Sequence, residues 1–329
     1  MTPVNAERAR EFWADTSRLV SLAMAKRDDE AVVVALEIVK GYPELPAESS
    51  YLLACAYNGA GRYVEALHTL ETALDRGACW HESLLLSSPG LKPLRDQQQF
   101  HRIVARSKIM LDALPASSPA GAVFSPERIE TAGAPLFLPL HGGGDIPGGH
   151  DEHWAAAVGI GVLVAIPRSS QRRSSDMFWW GNPLQPFDIE RCGRDIQAAY
   201  DQVGTRHGFD RTRVVLGGFS QGASLAVTLA LHNRPFPIRG FTCVGPGMES
   251  IEALIPLMEP AAARGLRGWI LAGERERGLE LITRLSDALT FHGIACQLEV
   301  VPGLGHEFPH DFGSRLQSGL GSVLAAGSA

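Results

Sequence analysis

The chain has 329 residues, of which 45% are hydrophobic and 20% charged, enough to bury a core in each of two domains. A formal net charge of −6 leaves no overall basic field for phosphate backbones, so no nucleic-acid partner is expected, although residues 168–176, RSSQRRSSD, are locally cationic. The five cysteines, Cys55, Cys79, Cys192, Cys243 and Cys296, are scattered and form no C-x-x-C, which fits free thiols in a reducing compartment better than a disulfide framework.

The first twenty residues mix acids and bases and contain no apolar stretch of the kind a signal peptide needs. The strongest apolar run, AVVVALEIV (31–39), is too short to span a bilayer and contains Glu37. A cytoplasmic chain with no membrane span is the expectation. From Asn5 to about Leu114 apolar residues recur at three-to-four spacing with little strand signal, which predicts a helical domain over 1–114. Residues 27–39 and 62–74 superimpose at a shift of 35, close to the 34-residue period of tetratricopeptide repeats. The second copy resembles such a repeat: Tyr51, Leu52, Ala54 and Tyr57 face one way on its first helix, Gly61 makes the turn, and Tyr63, Ala66 and Leu67 pack the second helix back. A tetratricopeptide-like domain of this kind suggests a protein partner or self-association.

Residues 115–123 lack periodicity, follow the Pro, Ser, Ala and Gly composition of LPASSPAGAV, and are read as a linker. Beyond them, over 124–329, the texture changes. Short apolar runs at 134–140, 162–167, 213–218, 239–245, 267–273 and 295–302 alternate with helical patterns such as 188–208 and 280–293. Strand–helix alternation predicts an α/β domain with a mostly parallel sheet covered on both faces.

Within it, GGFSQGA (217–223) places Ser220 between a buried-strand run and a helix. Such an elbow strains the backbone at the serine, and Gly218, Gly222 and Ala223 let strand and helix pass closely. The helix N-terminus behind the serine puts partial positive charge where an oxyanion would develop. A serine hydroxyl needs a general base, and His306 sits on a glycine-rich loop after the last strand run, with His310 as the alternative. The acid should leave the sheet after the penultimate strand, where Glu276 is preferred, then Glu274, with Glu249 third. Arg275 and Arg277 beside it also fit a plain solvated turn. Two backbone donors for an oxyanion are expected from Gln221, after the serine, and from Gly143 in the His-Gly-Gly-Gly run 141–144. No Gly-Lys-Ser/Thr follows that run, which argues against a phosphate loop. HDEH (150–153) is permissive for a metal but lacks further ligands, and none is expected. MFWW (177–180) reads either as the lining of an acyl pocket or as a packed loop.

LHGGGD (140–145), DRTRVVLGGFSQGAS (210–224), LAGERE (271–276) and VPGLGHEFP (301–309) together resemble the phospholipase/carboxylesterase family of α/β-hydrolases, which includes acyl-protein thioesterases. The four stretches arrive in family order and span about Pro135 to Phe308. The resemblance implies an α/β-hydrolase fold, Ser220 as nucleophile, His306 as base, and Gly143 with Gln221 as oxyanion donors, with no cofactor. The family's acid is usually aspartate in a Gly-x-x-Asp turn, whereas Gly273-Glu274-Arg275-Glu276 carries glutamate there. The expected activity is cleavage of a small-molecule carboxylic ester through an acyl-enzyme. The alternatives are thioesterase or deacylase action on a protein- or carrier-bound acyl group, and an inert hydrolase fold that binds partners. The helical domain inherits no activity from this resemblance.

Overall fold

The computed structural model describes residues 6–115, 120–126, 133–146, 148–182 and 185–325. It divides into two compact units. One comprises Met1–Ala116 together with Gly144–Gly149 and Gln171–Phe178; the other comprises Ser117–Gly143, His150–Ser170 and Trp179–Ala329.

The first unit is helical: α1 (Ala6–Met24), α2 (Asp28–Gly41), α3 (Pro46–Gly59), α4 (Tyr63–Asp75), the short α5 (Glu82–Ser87), a 3-10 turn (Pro89–Leu94) and α6 (Gln98–Asp112). Helices α2 and α4 start 35 residues apart, at 28 and 63, matching the shift seen in the sequence. Each start carries an arginine paired with a glutamate three residues on, Arg27 with Glu30 and Arg62 with Glu65. Their buried residues, Ala31, Val32, Val34, Ala35 and Ile38 on α2 and Ala66, Leu67, Leu70, Ala73 and Leu74 on α4, follow the helical repeat and form one apolar stripe per helix.

Helix α3 is buried along most of its length, and its buried residues include three polar ones, Glu48, Ser49 and Asn58. For Glu48 and the helix start, the compensating groups lie far away in sequence. The guanidinium of Arg173 donates to the Glu48 carboxylate. Asp176 accepts from the backbone N–H groups of Ala47 and Glu48 at 2.6 and 3.2 Å, satisfying two donors that the helix start leaves open after Pro46, which has none. Burial pushes the Asp176 carboxyl up from its ordinary value, and the bonds from Ser175, Ala47 and Glu48 oppose that shift. Losing one member of a buried ion pair costs about 3–5 kcal/mol, because the other charge is left uncompensated. A helical domain bounded at 114 on periodicity alone therefore omits the segment 171–178, which supplies both of these groups.

The second unit holds a seven-stranded sheet in the order β1-β3-β2-β4-β5-β6-β7. The strands are β1 (Ala120–Phe124), β2 (Ala134–Leu140), β3 (Leu163–Pro167), β4 (Phe209–Phe219), β5 (Gly240–Val244), β6 (Arg267–Gly273) and β7 (Ala295–Val301). All neighbours run parallel except β1, which pairs antiparallel with β3. The helices are α7 (Asp151–Ala155), α8 (Ile189–Gly204), α9 (Gln221–His232), α10 (Ile255–Ala263), α11 (Leu279–Phe291) and α12 (Phe312–Leu324), with a 3-10 turn at Ala156–Ile160. Strands β2, β3 and β5 are buried at every residue, as expected of parallel strands covered on both faces. Alternation then sorts the side chains. Leu136, Leu138 and Leu140 of β2 join Ile196, Leu225, Leu229 and Leu285 on one side, and Phe137 joins Trp269, Phe312, Leu316 and Leu320 on the other.

The part of the expected linker 115–123 from Ala120 onward lies in strand β1, while residues 116–119 fall outside the described residues. Gly and Ala gave the segment no apolar alternation to read, and its strand character comes from pairing with β3. Strand β4 starts at Phe209, four residues before the run read at 213; residues 210–213 are polar and mostly exposed, so they carry no apolar strand signal. Among the described residues no helix is long and apolar enough to cross a membrane. The chain passes from β2 to β3 on one side and from β3 to β4 on the other, so the strand order reverses between β2 and β4. A crevice at the carboxyl ends of these strands is where open α/β sheets place their ligands.

Candidate active site

Ser220 stands at that switch point, between the end of β4 and the start of α9. Its backbone has φ 53° and ψ −117°, a conformation that non-glycine residues rarely adopt. Surrounding bonds hold it there: Ser220 N donates to Val244 O at 2.9 Å, and Ser220 O accepts from Ser224 N at 3.1 Å as the helix begins. Gly222 permits the tight passage, since a Cβ at that position would stand 2.3 Å from the carbonyl oxygen of Leu140 and 2.4 Å from that of His141. The loop after β2 thus lies directly against the elbow.

His306 and Glu276 come together on neighbouring loops. His306 Nδ1 lies 2.9 Å from Oε2 and 3.0 Å from Oε1 of Glu276. The carboxylate is only 8% exposed and the imidazole 46%, so the acid is shielded while the ring remains reachable. With a proton on Nδ1 directed at the carboxylate, Nε2 is left as the acceptor. The His306 ring centroid is 4.7 Å from that of Phe219, the residue immediately before Ser220. The two loops are tied by backbone as well: Arg275 N donates to Leu304 O at 2.9 Å, and Glu274 Oε2 accepts from Gly303 N at 2.7 Å. Of the three glutamates weighed from sequence, Glu276 faces the imidazole, whereas Glu274 is engaged with the Gly303 backbone. The turn holding Arg275 is built into the histidine loop, and the Arg275 guanidinium donates to Gly303 O.

Gly245 carries no signal in the sequence as a functional position. It has φ 53°, and a Cβ there would stand 2.5 Å from Glu276 Oε1 and 3.0 Å from His306 Nδ1. Only glycine leaves room there for Glu276 and His306 to meet. Gly143 packs against the side chain of Gln221, with a Cβ placed on it lying 3.0 Å from Oε1. The two residues expected to supply oxyanion donors are therefore neighbours, although one lies in the loop after β2 and the other opens α9.

The other candidate stretches have different surroundings. His153 stacks on Phe308 at 4.5 Å between centroids, and His150 lies 5.1 Å from Phe308 and 5.5 Å from Phe219. Both histidines thus belong to an aromatic cluster beside the His306 ring. Among the described residues there is no group of three or more His, Cys, Asp or Glu side chains able to hold a metal ion. Trp180, from the aromatic run 177–180, is fully buried in the core of the second unit.

No protein-family model and no curated protein matches the chain. Solved structures do match. An uncharacterised protein from Bacillus cereus ATCC 10987 is 24% identical with a TM-score of 0.52, and the match covers 94% of this chain and 97% of that one. Acyl-protein thioesterase 2 of Zea mays is 17% identical with a TM-score of 0.48, over 62% of this chain and 98% of that one. An esterase from Pyrobaculum calidifontis is 15% identical with a TM-score of 0.46, over 62% and 81%. The mostly parallel sheet, the elbow after β4 and the helices on both faces make the second unit an α/β-hydrolase fold, with six helices preceding its sheet in the chain. The Bacillus match extends over both units of the chain.

Proposed function

We propose that the chain is a serine hydrolase that cleaves carboxylic esters through an acyl-enzyme on Ser220. The observation that carries this reading is the shielded Glu276 carboxylate bonded to His306 Nδ1, with the His306 ring packed on Phe219, the residue before a serine held in elbow geometry. In this reading Ser220 Oγ attacks the ester carbonyl while His306 Nε2 takes its proton. The negative charge moving onto the carbonyl oxygen is met by the N–H groups of Gln221 and Gly143 and by the N-terminus of α9. Collapse breaks the bond to the alkoxide, which leaves as the alcohol with the proton from His306. Water, deprotonated by the same imidazole, then attacks the acyl group and returns Ser220 with release of the acid. Glu276 keeps the Nδ1 proton in place and offsets the charge of the imidazolium; glutamate performs this as aspartate would, because its turn sets the carboxylate at bonding distance. No further group is called on in these steps.

The test is hydrolysis of p-nitrophenyl acetate, butyrate and octanoate beside matched acyl thioesters by the purified chain. Saturable turnover of at least one p-nitrophenyl ester is expected. Turnover confined to thioesters would reassign the acyl carrier, and no turnover of either class by the folded chain would refute the reading.

A further inference from the structure

Resting on the proposed esterase chemistry, we infer that Trp180 is a positioning residue that fixes the spacing of the two oxyanion donors by holding both of their loops at once. The loop after β2 carries Gly143, and the first residue of α9 is Gln221; neither loop continues into the other, so something must set the distance between their N–H groups. Trp180 reaches both. Its indole Nε1 donates to the carbonyl oxygen of His141 at 3.0 Å, and its ring stacks on the His141 imidazole with centroids 4.7 Å apart and planes 24° off parallel. Its backbone N–H donates to Gln221 Oε1 at 2.9 Å, and Gln221 Nε2 in turn donates to Gly181 O at 2.9 Å. The Gln221 amide is thus gripped at both ends by residues 180 and 181, which fixes the orientation of its oxygen and nitrogen.

The clamp is itself anchored. Cys192 on α8 has its Sγ 3.3 Å from Trp180 O, and His141 Nε2 accepts from Ser169 N at 3.3 Å, so the stacked imidazole does not swing freely. The His141 carbonyl that the indole holds is one of the two that Gly222 approaches at the elbow, and Gly143 packs on the Gln221 oxygen that Trp180 N–H holds. A change in either Trp180 bond therefore moves a donor relative to Ser220. Because a misplaced donor matters most once charge has formed on the carbonyl oxygen, its loss should fall on the transition state and spare substrate binding.

Trp180→Phe keeps an aromatic ring over His141 and removes the indole donor. Gln221→Met keeps the backbone N–H and removes both amide bonds. For each, ester turnover is measured per site titrated with a fluorophosphonate, alongside inhibition by an alkyl trifluoromethyl ketone, which adds a serine hydroxyl to form a tetrahedral adduct. The expected result is kcat per titrated site lower by about 10- to 100-fold, KM changed less than about threefold, and ketone inhibition weakened in parallel with kcat/KM. If Trp180 only stabilises the fold, the titrated fraction and the melting temperature drop while kcat per site and ketone affinity stay at the wild-type level; that result in both variants overturns the inference and leaves the esterase reading intact. A wild-type chain that neither turns over ester nor titrates overturns the esterase reading, and this inference with it.

Discussion

Ser220→Ala and His306→Ala are each expected to lower kcat/KM for p-nitrophenyl butyrate by about 10⁴- to 10⁶-fold, with the double variant no worse than the poorer single one. In the proposed mechanism nucleophile and base act in one proton transfer, so removing the second after the first should cost little more. What survives is the catalysis that donors and binding alone provide. Steady-state rates of the three variants check this. Single variants within about tenfold of wild type, or losses that multiply in the double variant, contradict a shared proton transfer.

Glu276→Gln is the next largest effect expected, a fall in kcat of about 10³- to 10⁴-fold with the fold retained. The amide is close to the same size and keeps the contact, but its NH₂ can face His306 Nδ1 and drive the ring proton to Nε2, where the serine needs an acceptor. Glu274→Gln gives the contrast. Its amide oxygen can still accept from Gly303 N, so turnover should stay within about tenfold of wild type. The pair of rates decides which carboxylate orients the imidazole, and equal losses in both variants contradict the assignment to Glu276.

Much of the sheet was legible because buried parallel strands are apolar throughout: the runs 134–140 and 267–273 coincide with β2 and β6. The serine elbow was legible for a related reason, since close passage of strand and helix demands small residues at fixed offsets. The remaining features depend on what the chain meets after folding. Glu274 and Glu276 are two residues apart and chemically alike, and only the path of the turn over the histidine loop separates their partners. Gly245 sits among ordinary strand-end residues, and its need for an absent Cβ arises from side chains that are 31 and 61 positions further along. Trp180 lies in an aromatic run that composition assigns equally to packing or to a pocket, and the partners of its two donors, His141 O and Gln221 Oε1, are set only by the folded chain.

The helical unit teaches the same lesson through charge. Periodicity marks which helices form but not what compensates Glu48, buried on α3. The partners of Glu48 and of the α3 N-terminus, Arg173 and Asp176, lie in a cationic stretch that looks like solvated surface when read alone. Arg173 and Glu48 are instead both largely buried, with side chains 16% and 4% exposed. A fragment ending at residue 115 would leave Glu48 buried without its guanidinium.

The most direct measurement of the central claim is covalent labelling of the purified chain by a fluorophosphonate, with the modified peptide identified by mass spectrometry. Only a serine activated by a neighbouring base displaces fluoride at a useful rate, forming an oxygen–phosphorus bond. One adduct per chain on Ser220, formed more slowly in His306→Ala and absent in Ser220→Ala, is the predicted result. A folded chain that takes up no label, or takes it up at another residue with Ser220 untouched, contradicts the account.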